Sequence, residues 1–192
     1  GVIANITVNS KHLSRSKDRI NYFRENKMVY GIGISYDSKY HEDVKDVMDA
    51  NSVLHVISGV NTVSEVMSFP KNWKLLVLGY KTYGFGKKYY EVRPVKENLN
   101  KWKYWIGTIM NKFHVSFDNL AVKQLGIKKY LTEEKWNESY MGDDGSFTMY
   151  IDAVEQNYAK SSTSKRIEAK GLNVKEMFSN VKKLNKDLEI LQ

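Results

Sequence analysis

The chain has 192 residues, 42% hydrophobic and 27% charged, with a formal net charge of +8; this is enough for a folded domain with its own core and too apolar for a disordered chain. It contains no cysteine, which excludes disulfides, thiolate metal sites, a cysteine nucleophile and any iron–sulfur cluster held by thiolates of this chain. No run approaches the roughly eighteen apolar residues of a membrane-spanning helix, so no membrane contact is expected, and an intracellular setting fits.

Six short β-type runs are expected in chain order. Ile3–Val8 (IANITV) comes first, and a helical stretch around Arg19–Asn26 separates it from Val29–Ser35 (VYGIGIS). The charged segment His41–Asp49 leads into Val53–Ile57 (VLHVI), and Lys74–Leu78 (KLLVL) is the most continuous apolar run. His114–Phe117 (HVSF) and Phe147–Ile151 (FTMYI) complete the set. Apolar runs of this length, alternating with helical segments, predict parallel strands buried on both faces. The fold class is α/β: a partial (β/α) barrel or an open parallel sheet of about six strands with flanking helices.

Helical spacing supports this class. Between Asn98 and Phe113, residues Leu99, Trp102, Ile106, Ile109, Met110 and Phe113 recur at three- and four-residue steps. In the tail, Val174, Met177, Phe178, Val181, Leu184, Leu188 and Leu191 do the same, predicting a C-terminal amphipathic helix over 174–192. Each set forms an apolar stripe for docking on a core. Thr62 with Glu65 predicts a capping box, and Asp144-Gly145 predicts a tight turn. With two prolines and no low-complexity segment, a single domain over 1–192 is expected.

Several residue patterns invite chemical readings. Gly31 and Gly33 in GIGIS lack the third glycine of a dinucleotide loop, because position 36 is Tyr; close packing or backbone approach at a strand is predicted instead. His12, His41, His55 and His114 share no metal-ligand spacing, so no zinc site is expected. His55 and His114 fall inside strands as satisfied core or surface groups. Asn9, Ser35, Ser58, Lys81, Asp118, Asn119 and Asp152 all follow apolar runs. In a barrel such positions line the C-terminal face where ligands bind, and strand ends also turn polar simply on reaching solvent.

Charge is unevenly spread. Residues 71–135 hold fourteen basic and five acidic side chains, whereas residues 136–158 hold five acidic and no basic ones. Aromatic and basic residues interleave from Tyr80 to Tyr104, including Lys81, Lys87, Lys88, Tyr89, Arg93 and Lys103. Lysines meet phosphates as point charges and exposed aromatics stack on unpaired bases, so these residues are the expected contacts to a nucleic-acid or nucleoprotein partner. A solvated lysine-rich surface accounts for the same pattern, and Trp102 belongs to the core.

Several stretches together resemble a known family. They are GVIANITVN (Gly1–Asn9), YGIGIS (Tyr30–Ser35), LHVISGV (Leu54–Val60), LLVLGYK (Leu75–Lys81), VSFDNLAVKQL (Val115–Leu125) and YMGDDGSFTMYIDAV (Tyr140–Val154), the last continuing into AKSSTSKR (Ala159–Arg166). The chain is similar in these to radical SAM proteins encoded by phages and related elements of Gram-positive bacteria. In that family a CxxxCxxC loop after the first barrel strand binds a [4Fe–4S] cluster that cleaves S-adenosylmethionine. Gly1 would fall near the third strand, after that loop. The resemblance therefore implies the later part of the barrel. S-adenosylmethionine and [4Fe–4S] enter only if a missing segment supplies the cluster. It also implies a pocket lined by Asn9, Ser35, Asp118, Asn119, Gln124, Asp143, Asp144, Ser161, Ser162 and Arg166.

A natural short protein, a piece of a full enzyme and one half of a split enzyme are all open, and the helical tail favours the first. Two functions follow from the resemblance. One is a non-catalytic, phage-encoded inhibitor of anti-CRISPR type in the bacterial cytoplasm, binding a nucleic-acid-handling host defence complex: a protein or nucleoprotein, RNA or DNA. The other is the C-terminal part of a radical SAM enzyme that needs a cluster-bearing segment. A barrel without its first strands leaves Ile3–Val8 as an edge with neither charge nor proline, so a homodimer or a partner complex burying that strand is expected, against a monomer whose tail helix or acidic segment folds back over the opening.

Overall fold

The computed structural model describes residues 3–92 and 94–190. Gly1, Arg93 of the basic stretch and Leu191 of the tail stripe lie outside the described residues, as does the side chain of Leu188. Two compact units make up the chain, Gly1–Tyr130 and Leu131–Gln192.

The first unit is built on five parallel strands: β1 (Asn5–Asn9), β2 (Gly31–Ser35), β3 (Ser52–Ile57), β4 (Lys74–Leu78) and β5 (His114–Phe117), paired in that order. Between and after them run α1 (Leu13–Glu25), α2 (His41–Val47), α3 (Val63–Met67), α4 (Phe85–Val92), α5 (Val95–Lys112) and α6 (Asn119–Leu125). Because the strand order is sequential, every crossover steps the same way, and right-handed crossovers then place the helices on one face. The burial alternates accordingly. Ile32, Ile34, Leu54, Val56, Leu75 and Val77 are each at most 2% exposed, whereas Gly33, Val53, His55 and Leu76 on the opposite face are half-buried and Thr7 is exposed. Burial on both faces, expected from the apolar runs, therefore holds for one face only.

Local chemistry places the helices. Thr62 Oγ1 accepts from Glu65 N–H at 3.2 Å while Glu65 Oε2 accepts from Thr62 N–H at 2.6 Å, the reciprocal box that starts α3. In α5, Val95, Trp102, Ile106 and Ile109 are buried. The Trp102 indole N–H donates to the Asn61 carbonyl at 2.7 Å, so this aromatic is a core residue with its one polar atom satisfied.

The second unit holds α7 (Glu133–Ser139), an antiparallel sheet of β6 (Tyr150–Asp152), β7 (Asn157–Ala159) and β8 (Ile167–Glu168), and α8 (Val174–Ile190). The strand expected at Phe147–Ile151 thus starts later and does not join the parallel sheet. Its chain reverses at once through 153–156, where Gln156 has φ 50°, and a parallel neighbour needs a crossover of about a dozen residues or more. Met177 and Val181 of α8 bury against Tyr158, with Met149, Ile167, Ala169 and Leu172 around them. Val174 and Leu184 of the expected stripe are exposed. The Asp144-Gly145 turn forms, with Gly145 at φ 88° and Ser146 N–H donating to the Asp143 carbonyl at 3.0 Å.

Candidate functional site

The C-terminal strand ends bring several expected residues close together, and most of their polar atoms hold loops. Asn9 Oδ1 accepts from Lys11 N–H at 3.1 Å, and buried Ser10 accepts from Asp37 N–H at 3.0 Å. Ser58 Oγ donates to the Leu78 carbonyl at 3.1 Å. Asp118 caps α6 by accepting from Ala121 N–H at 2.7 Å, and the same oxygen takes Gly79 N–H at 3.0 Å. Gln124 accepts from Tyr80 N–H and donates to Tyr80 O, both at 2.8 Å. Ser35 closes β2 half-buried and Asn119 opens α6. Beyond Ser35, burial, with Glu65 and Asp37 adding to it, pushes the Tyr36 phenol up to about 12, so its hydroxyl stays protonated and bonds His41 Nδ1 at 3.1 Å.

The half-buried sheet face carries a trough of about 440 Å³, lined among others by Asn5, Thr7, Gly33, His55, Leu76 and Ser116. Its floor depends on glycine. A Cβ on Gly33 would lie 2.6 Å from the His55 imidazole and 2.9 Å from Thr7 Oγ1. The close approach expected for GIGIS is therefore present, and it seats a histidine. Burial holds the His55 imidazole below its ordinary value, so it sits neutral in the trough near pH 7.

The outer helix layer is basic. Lys81, Lys87, Lys88 and Tyr89 are exposed in and before α4, and Lys103 is exposed on α5. Lys81 Nζ stands 6.0 Å from the Tyr83 ring centroid. Tyr104 is 80% exposed and Trp105 43% exposed, beside core residues Trp102 and Ile106. Trp105 was not singled out from the sequence; it lies off the apolar stripe of its helix, and that displacement is the sequence feature that marks it. Tyr130 was also missed, because only the fold carries it to Lys103, whose carbonyl accepts its hydroxyl at 3.2 Å.

The remaining expected residues belong to the second unit. Asp143 accepts from Tyr140 OH at 2.9 Å; burial first, then this bond and the nearby aspartates, push the Tyr140 phenol up to about 12. Asp144 sits in the turn that follows. Arg166 donates to Ser161 O at 3.1 Å and Ser162 O at 2.8 Å, and its guanidinium carbon lies 4.0 Å from the Tyr150 ring centroid. Asp152 is held below the ordinary carboxylate range, chiefly by Glu155 N–H, against a smaller opposing effect of burial.

With no cysteine in the chain and no cluster of three His, Asp or Glu side chains among the described residues, these residues do not fit the [4Fe–4S] cluster that the resemblance implies. Among the described residues no helix is long and apolar enough to cross a membrane.

No protein-family model, no curated protein and no solved structure matches the chain.

Proposed function

We propose that this chain works by binding, through the basic outer layer of α4 and α5, to a nucleic acid or a nucleoprotein complex. The observation that carries the reading is the exposure of Lys87, Lys88 and Tyr89 on α4 together with Lys103 on α5, while the polar side chains at the strand ends are largely engaged in holding loops. Lysines that neutralise phosphates release counterions, so affinity should fall steeply as salt rises. Fluorescence anisotropy with a labelled oligonucleotide across a salt series is the test. Lys87→Glu with Lys88→Glu should lower the log–log salt slope by about 2 with the melting temperature unchanged. An unchanged slope, or no binding at low salt, would refute the assignment.

The motif resemblance adds a narrower reading: the first unit as the later part of a radical SAM-like barrel, used as an anti-CRISPR-type inhibitor or completed by a cluster-bearing segment. It is favoured by the sequential parallel order of β1–β5, which leaves β1 and β5 each with a single neighbour among the described residues. The gene separates the two versions. Codons for CxxxCxxC upstream of Gly1 in the same frame support the enzyme, and a start codon ahead of Gly1 with no such codons between supports the inhibitor.

A further inference from the structure

We propose that Tyr104, Trp105 and Tyr130 form a stacking platform for unpaired bases, making single-stranded nucleic acid the ligand of the basic layer; this rests on the binding reading above. Three observations carry it. First, α5 turns Trp102, Ile106 and Ile109 fully inward, and the next two rings, Tyr104 at 80% and Trp105 at 43%, stay outside. Their ring centroids are 5.5 Å apart at 75°, an edge-on pair. Isolated surface aromatics are ordinary, but contiguous ones call for an explanation.

Second, the fold lays a third ring on the same helix, against Lys103 and Gly107. Tyr130, 38% exposed, ends the 3-10 turn Ile127–Tyr130 and donates its hydroxyl to Lys103 O. A Cβ on Gly107 would lie 3.0 Å from Tyr130 Cε1 and 3.2 Å from its Cδ1, so this helical glycine is what lets the ring come down onto α5.

Third, the charge fits. Residues 95–130 carry seven basic and two acidic side chains. Both acids are engaged elsewhere: Glu97 pairs with Lys101 at 2.7 Å, and Asp118 holds the Gly79 and Ala121 amides. Lys103 is exposed beside Tyr104, and Lys129 Nζ stands 4.9 Å from the Tyr130 centroid. Rings beside lysines match bases beside phosphates, and every base offers a flat face. A duplex keeps those faces stacked within itself, so the platform selects unpaired strands.

The test uses the full chain and three labelled 12-mers of equal length: single-stranded oligothymidine, a duplex, and an abasic strand. Oligothymidine should bind at least about tenfold tighter than the abasic strand, since each stacked base contributes roughly that much, and should quench tryptophan fluorescence. Tyr104→Ala with Trp105→Ala should remove this preference while leaving abasic binding and its salt slope in place; Trp105→Phe should keep most of it. Equal affinity for oligothymidine and the abasic strand, or an undiminished preference in the double variant, would overturn the platform and leave the electrostatic reading standing. No binding to any of the three at low salt would overturn both.

Discussion

The side-chain amide of Gln124 grips the backbone of Tyr80 at both its polar atoms, accepting from its N–H and donating to its carbonyl at 2.8 Å each. A glutamine in α6 thereby fixes the segment after β4, in the manner of a strand partner. Gln124→Leu should remove both of these bonds to the Tyr80 backbone beside a buried side chain, at a cost of about 2 kcal/mol. Thermal unfolding is the measurement, and a fall of roughly 4–8 °C is expected for a chain of this size. A melting temperature within a degree of wild type would mean that the loop is held by other bonds.

His55 should make stability pH-dependent. Its folded pKa lies below the ordinary 6.5 because burial penalises the charged ring. The unfolded chain therefore binds the proton more readily than the folded one, and stability rises with pH in this window. The loss should begin as pH falls through about 6.5 and end below the folded pKa. His55→Gln should flatten that part of the profile. A chemical-denaturation series between pH 7.5 and 5 decides it, and an unchanged slope in the variant would assign the dependence to other groups.

Gly33→Val should displace His55, since its Cβ alone would meet the imidazole at 2.6 Å. The ring would swing towards water, and its NMR titration midpoint should move up towards 6.5. A midpoint that stays where it is in wild type would show that the trough does not need glycine.

The β1 edge should pair. Among the described residues β1 has β2 as its only neighbour, and Ile6 and Val8 remain half-buried without charge or proline nearby in the strand. Such an edge invites another strand. Light scattering at micromolar concentration should give a mass above the 22.3 kDa of one chain. A mass of one chain would remove the homodimer and leave capture of a different partner or covering of the edge by the chain itself.

Arg166→Met should loosen the Ser161–Ser164 turn, which it clamps through two carbonyls while lying on Tyr150. The group is exposed, so the cost is small, about 1 kcal/mol. Hydrogen exchange at Thr163 and Ser164 should quicken while the amide of Met177 in α8 stays protected. Equal rates in both proteins would show the clamp to be dispensable.

Much of the first unit was legible along the chain. Runs such as KLLVL and VLHVI form strands within a residue or so of where apolar continuity put them, and Thr62 with Glu65 marked the start of α3. Phe147–Ile151 misled because a short apolar run does not say which way its neighbour will run. That was decided by the reversal at 153–156, which leads directly into β7, the strand whose Tyr158 α8 then covers. Among the candidate site residues, Asp118 was visible as a polar group after a strand and Gln124 only through the motif resemblance, but their bond partners at Gly79 and Tyr80 lie 39 and 44 residues away, beyond any local pattern.

The amino-acid sequence by itself determined that this chain is α/β, that it carries no thiolate for a metal cluster, and that its middle is basic, because periodicity, composition and charge are properties of neighbours in the chain. Only the tertiary structure decided that one sheet face is left half-open, that Gly33 seats His55, and that Tyr130 lies against Gly107 of α5. These depend on strand order and on contacts between residues far apart in the chain, and no spacing along a single segment encodes which distant ring will find a glycine to lie against.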